Sequence, residues 1–282
     1  MTILVTGARG AIGGSVIGKL HAAGHPVRAA SKSPDDRAVP AGVERVTLDL
    51  SRPDAAEAAL RGVSRVFLYP QPAGIDDLLT AARGAGVEQV VLLSSAWVLA
   101  PGAGSAPISA PNLLVERALS ASGITSTFLR PDAFTSNALA WSGFIRDAKP
   151  VPLAYPRAQV AAIHPADIAD IAVEALTGIT LTGRSVTLTG AESHTFRQHT
   201  EIIGEVLGRD VEVLEITRAE AEVQMARQMP ALVVTNLLDV WSAAAGGPAA
   251  IGDTTQSLLG RPSRSFRQWV RENRAAFGGG QD

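Results

Sequence analysis

Between Thr2 and about Arg130, short runs of β-branched and apolar residues alternate with stretches whose apolar positions recur every three or four residues. This is the rhythm of βαβ units that build a parallel sheet. The predicted strands are Ile3–Thr6, Val27–Ala30, Arg45–Leu48, Val66–Tyr69, Val90–Ser94 and Thr125–Leu129. Between them Ile12, Val16, Ile17 and Leu20 share one helical face, as do Leu78, Leu79 and Ala82, and then Leu114, Val115 and Leu119. Right-handed crossovers turn such a series into an α/β, doubly wound parallel sheet of the Rossmann type.

Beyond Arg130 the pattern loosens around Phe134, Trp141, Phe144 and several prolines, until Val160–Ile163 reads as a strand. A helix follows, with Pro165 in its first turn, Asp167 near the positive end of its dipole, and Ile168, Ile171, Ala172 and Leu176 as its apolar stripe. Ser185–Thr189 reads as a further strand, Phe196–Leu207 as a helix, Val211–Ile216 as a strand, and the stretch from Arg218 as mostly helical. The expected organisation is a nucleotide-binding core over 1–132, to which 158–190 returns, and a smaller C-terminal α/β substrate-covering part over 133–157 and 191–282. Residues 243–248 read as a loop and Gly278–Gly280 as a frayed end.

Composition narrows the chemistry. With 46% hydrophobic residues the 282-residue chain can bury a substantial core, and Lys+Arg 25 against Asp+Glu 27 offers no strong field for nucleic acid. It contains no cysteine, so thiolate metal sites and cysteine nucleophiles are excluded. No apolar run approaches the ~20 residues that span a bilayer, and no targeting segment precedes the first strand; a soluble cytoplasmic protein is expected.

The string VTGARGAIGGSV places Gly7, Gly10 and Gly13 between the first strand and the first amphipathic helix. Gly7 permits a tight turn, Gly10 lets backbone approach a pyrophosphate, and Gly13 allows close packing of helix on strand. The helix N-terminus then offers unpaired N–H donors to phosphate. Arg9, Ala11 and Ile12 lie in the same loop and count with the glycines as dinucleotide contacts. After the second strand an NAD site carries a carboxylate, but this chain reads Arg28-Ala29-Ala30-Ser31-Lys32, with no carboxylate before Asp35. Ser31 and Lys32, with Arg9, suit a 2′-phosphate, which favours NADP(H); the alternative is that these cations are merely solvated.

Taken together, the motifs resemble the NmrA-like family of atypical short-chain dehydrogenases. They are the T-G-A-x-G-x-I-G opening, Val27-Arg28-Ala29 with Lys32, Leu48-Asp49-Leu50, Leu93-Ser94-Ser95-Ala96, Glu116-Arg117-Ala118-Leu119, Leu129-Arg130-Pro131 and Ile163-His164-Pro165-Ala166-Asp167. The resemblance implies that Asp49 and Leu50 lie beside the adenine, Tyr69, Pro70 and Gln71 along the ribose, Ser94 and Ser95 at the nicotinamide, and Pro131 at its carboxamide end. Each of these residues can instead serve the fold.

The dyad of ordinary short-chain dehydrogenases is a Tyr-x-x-x-Lys pair, and here neither Tyr69 nor Tyr155 has a lysine four residues on. Ile108 and Asn112 take the aligned positions. Within the resembling family this implies either a reductase of a quinone or conjugated carbonyl, a redox sensor that regulates a partner protein, or a non-redox enzyme on the same fold. His164 and Ser95 are the candidate catalytic residues, His164 as a proton donor or, alternatively, as a cap on the next helix. The expected partner is a small aromatic or quinone-like molecule, with a homodimer or regulatory partner also open. Trp97, Trp141, Phe144, Met225, Met229 and Trp241 can line a pocket for it or form plain core. A metal site is not expected, because His194 and His199 sit among few carboxylates. Arg261, Arg264, Arg267, Arg271 and Arg274 follow a helical spacing that reads as a docking stripe or a solvated face.

Overall fold

The computed structural model describes residues 1–33, 39–50 and 52–280 and groups them into two compact units. Asp35 lies outside the described residues. The first unit comprises Met1–Ser105, Ser109–Pro131 and Pro165–Leu188. Its seven strands are β1 (Thr2–Val5), β2 (Val27–Ser31), β3 (Glu44–Thr47), β4 (Val63–Leu68), β5 (Gln89–Leu93), β6 (Thr125–Pro131) and, after a long excursion, β9 (Ser185–Leu188). They form one parallel sheet in the order β3-β2-β1-β4-β5-β6-β9.

Both faces of this sheet are covered, which is why β5 is buried at every position. Leu4, Val66, Leu68, Val90 and Leu92 pack with α2 (Pro53–Leu60), α3 (Ile75–Gly84) and α4 (Ala110–Ala121) in one cluster. α1 (Ala11–Ala22) and α6 (Pro165–Thr177) pack on each other, and Lys19 Nζ meets Asp170 Oδ1 at 2.6 Å. Ile12, Val16, Ile17 and Leu20, the four residues of the predicted stripe, are α1's large buried side chains; burial of each is worth about 1.5–3 kcal/mol.

The second unit comprises Ala106–Ile108, Asp132–His164 and Thr189–Asp282. Its described residues include two short strand pairs: β7 (Val151–Leu153) with β11 (Val213–Glu215), parallel, and β8 (Gln159–Val160) with β10 (His194–Thr195), antiparallel. The strand expected over Val160–Ile163 is therefore shorter, and Ile163 instead makes a single bridge to Phe134. Around these lie α5 (Ser142–Arg146), α7 (Phe196–Leu207), α8 (Arg218–Met225), α9 (Ala231–Ala244), α10 (Thr254–Leu259) and α11 (Phe266–Glu272). Capping boxes start α7, through Thr195 and Gln198, and α8, through Thr217 and Glu220.

Two local expectations change. The arginine stripe is not one helical face, because Gly260 closes α10 in the left-handed conformation and only Arg267 and Arg271 lie on α11. The glycine end is tied down as far as Gly279: Phe277 is fully buried, and the N–H groups of Gly278 and Gly279 donate to Ala275 and Arg274.

Candidate cofactor site

The strand order reverses between β1 and β4, so the loops that follow these two neighbours diverge from a common edge. Such a switch point is where open α/β sheets receive ligands. Thr6 fastens it: its N–H and its hydroxyl both donate to Phe67 O, at 2.9 and 3.1 Å, and its Oγ1 accepts the Tyr69 N–H at 2.8 Å. Sequence reasoning passed over Thr6, although it stands beside the first glycine.

Gly7 has φ +65°, and its carbonyl accepts the Gly10 N–H at 2.9 Å. Gly10 is extended and precedes α1 with no side chain to cap the helix. A Cβ at Gly13 would lie 2.3 Å from Gly7 O, so the loop closes only around a bare residue. The first turn of α1, Ala11-Ile12-Gly13-Gly14, adds no acidic side chain that would compete for an anion. Ile12 itself is buried, leaving its backbone as its contribution. A turn closed by glycine and a helix start with unpaired donors fit the pyrophosphate of a dinucleotide. The Tyr69 ring lies against Gly7 and Gly10, and its hydroxyl lies beside the backbone of Gly13. Burial raises the phenol's pKa above its ordinary value, with the Gly13 backbone opposing in part.

At the end of β2, Ser31 is half-buried and Lys32 exposed, with Lys32 Nζ 3.9 Å from Asp49 Oδ1. Arg9 is exposed in the glycine loop. Leu50 is buried in the core cluster, and its carbonyl abuts Gly74, where a Cβ would come within 1.9 Å; its side chain therefore packs inward. Pro70 and Gln71 are half-buried beyond Tyr69.

The two serines after β5 diverge. Ser94 is buried and donates its hydroxyl hydrogen to Glu116 Oε1 at 2.5 Å. Arg130 holds the same carboxylate with two bonds, Nε to Oε1 at 2.9 Å and Nη2 to Oε2 at 2.6 Å. Ser95 Oγ accepts the Trp97 N–H and so caps the short helix Ala96–Leu99. Pro131 is buried at the end of β6, paired with Leu188 of β9.

In the second unit His164 is buried, and its Nε2 lies 2.9 Å from Glu272 Oε2 on α11. No spacing in the sequence links these residues, since they are 108 positions apart. Trp141 and Trp241 pack against Phe196, and Met225, Met229 and Trp241 pack on the cluster of Ala221, Val234 and Leu238. Five of the six large residues proposed as pocket lining thus lie in this unit, with Phe144 the more exposed of them, and Trp97 belongs to the first unit. Among the described residues, no group of three or more His, Cys, Asp or Glu gathers to hold a metal ion.

Residues 7–178 match the model of a family described as NAD(P)H-binding. Over 98% of its length the chain is 39% identical to a (4-alkanoyl-5-oxo-2,5-dihydrofuran-3-yl)methyl phosphate reductase of Streptomyces griseus, of which 99% is covered. It is 30% identical to an NAD(P)H azoreductase of Xenophilus azovorans, over 98% of this chain and 99% of the relative. An NADPH-dependent quinone oxidoreductase of Escherichia coli shares the fold with a TM-score of 0.81 at 23% identity, over 97% of this chain and all of that one. A Citrobacter triphenylmethane reductase solved with NADP(H) does so with a TM-score of 0.79 at 23% identity, over 96% and 99% of the two chains. The chain belongs to the NAD(P)H-binding family, with the Rossmann-type fold of the atypical short-chain dehydrogenases that its motifs resemble.

Proposed function

We propose that this member of the NAD(P)H-binding family is an NADPH-dependent reductase of a quinone or other conjugated carbonyl compound, working without a Tyr-Lys dyad. The observation that carries the reading is the 39% identity, along nearly the whole chain, to a reductase named for an oxo-dihydrofuran. That name describes an unsaturated lactone whose ring double bond is conjugated with carbonyl groups. The azoreductase relative supports the same class, because an azo bond is likewise an electron-poor double bond.

When bound, the reduced nicotinamide supplies the hydride. The glycine turn and the first turn of α1 hold the pyrophosphate, Lys32, Ser31 and Arg9 the 2′-phosphate, and Asp49 borders the adenosine. Ser95, on the loop after β5, borders the reacting end of the site, and the buried Ser94–Glu116–Arg130 group fixes the strand ends beside it. The reading without a dyad rests on the sequence, where neither Tyr69 nor Tyr155 has a lysine four residues on; Tyr69 lies on the glycine turn and Tyr155 packs on the core of the second unit.

A positioned acid contributes about 10²–10⁴-fold where an alkoxide develops. A conjugated acceptor spreads that charge, so water, or His164 as proton donor, suffices. NADPH oxidation followed with quinones and enones beside simple aliphatic ketones tests the proposal. Conjugated acceptors are expected to turn over faster, and faster ketone turnover overturns it. Tight NADPH binding without turnover of any acceptor replaces it with the sensor reading.

A further inference from the structure

Tyr69 occupies the place that the glycine turn keeps clear. Its ring lies over Gly7 so closely that a Cβ there would meet Cδ2 at 2.5 Å and Cε2 at 2.8 Å, and its hydroxyl is 3.5 Å from the Cβ position of Gly10. The hydroxyl lies beside the backbone of Gly13, the third residue of α1. The Gly13 N–H is one of the four a helix start leaves without a carbonyl partner, and such groups receive phosphate oxygens in dinucleotide folds. A phenol oxygen and a phosphate oxygen cannot both sit there, nor can the phenol, with Cζ 3.9 Å from the Cβ position of Gly10, share the approach to Gly10 with a pyrophosphate.

We propose that Tyr69 is a gate on the pyrophosphate cradle, filling it in the cofactor-free chain and rotating away as the dinucleotide enters. The backbone need not move, since the Tyr69 N–H is anchored on Thr6 Oγ1 at 2.8 Å, so the change is confined to the side chain. The ring is only half-buried and touches Phe67 edge-on, with centroids 6.0 Å apart, so little packing resists the rotation. The exchange is downhill once a dinucleotide is present: a bond from N–H to an ionised phosphate is roughly twice as strong as one to a neutral phenol. The gate lowers apparent affinity by the fraction of chains in which it is open.

The chain has two tyrosines, so 3-fluorotyrosine labelling gives a two-line fluorine spectrum in which Tyr69→Phe identifies the gate. Titration with NADPH is expected to move the Tyr69 line and leave that of Tyr155. By calorimetry, Tyr69→Ala is expected to bind NADPH about tenfold more tightly than the unsubstituted chain, as for a gate closed about nine-tenths of the time. Tyr69→Phe, which keeps the ring but removes the hydroxyl beside Gly13 and Gly10, is expected to fall between them. Unchanged or weaker NADPH binding by Tyr69→Ala, or a Tyr69 line that saturating NADPH leaves in place, overturns the gate. The test is separate from the reductase reading, which concerns turnover of an acceptor.

Discussion

The imidazole of His199 lies flat on the ring of Phe266, with centroids 3.9 Å apart and planes inclined by 24°. Only 4% of His199 is exposed, and its burial, helped by the nearby His194, brings its pKa down to about 3. Between pH 6.5 and 3 the unfolded chain therefore binds a proton that the folded chain refuses. Stability from this group is complete above the unfolded value and is lost as the pH falls through that window. At pH 5 the loss is expected to be about 2 kcal/mol relative to pH 7. Urea unfolding at both pH values, compared with His199→Phe, checks it; an equally steep fall in the variant places the proton elsewhere.

Glu116→Gln is expected to destabilise the chain by about 3 kcal/mol, because it leaves Arg130 facing a neutral amide in a largely buried site. Glu116→Leu combined with Arg130→Met is expected to recover most of the loss, since two charges no longer need desolvation. Chemical denaturation of the three proteins measures both steps. A single-variant loss below about 0.5 kcal/mol would class the pair with exposed ion pairs.

Gly13→Ala places a methyl group 2.3 Å from the Gly7 carbonyl oxygen and forces the turn apart. The expected result is a ten- to hundredfold loss of NADPH affinity, as when a charge-assisted bond worth about 1.5–3 kcal/mol is lost. The melting temperature is expected to fall as well, since overpacking costs about 1–3 kcal/mol. Calorimetry and a thermal melt read the two effects; undiminished affinity would remove Gly13 from the cradle.

Lys32→Ala is expected to weaken NADPH roughly ten- to hundredfold while changing NADH little, and Arg9→Ala to act in the same direction. Lys32 already faces Asp49, so Asp49→Asn frees the cation and gives a second reading of the same contact. Parallel titrations with both cofactors decide; equal losses for NADPH and NADH would dismiss the 2′-phosphate assignment.

Much of the first unit was legible because its signals are local. The glycine spacing, the stripe Ile12–Leu20 and the runs that became β1, β2, β5 and β6 each lie within one window of sequence. Helix α2 gave a weaker signal, since Ala55, Ala56, Ala58 and Ala59 make a stripe with little contrast. What escaped depends on strand order. Tyr69 meets Gly7 only because β4 lies beside β1, and Glu116 meets Ser94 and Arg130 only once α4 settles near the ends of β5 and β6. His164 and Glu272 likewise met through folding of the second unit. The expected strand at Val160–Ile163 was misjudged in length: four apolar residues in a row mark burial, and burial alone does not supply a pairing neighbour.

The late arrival of β9 and α6 has a consequence for how the protein comes into being on the ribosome. Residues 1–131 contain six of the seven strands, yet a nascent chain paused there exposes the outer edge of β6 and the face of α1 that α6 will cover. Thr127 still lacks the Leu181 carbonyl to which its hydroxyl donates, and Gln89 that of Ala175. The nucleotide-binding unit thus stays adhesive until residue 188 has left the exit tunnel. A gene cut at the apparent domain boundary would yield an aggregating fragment, whereas a permuted gene that joins 165–188 directly to 131 would let that unit close without waiting for the excursion.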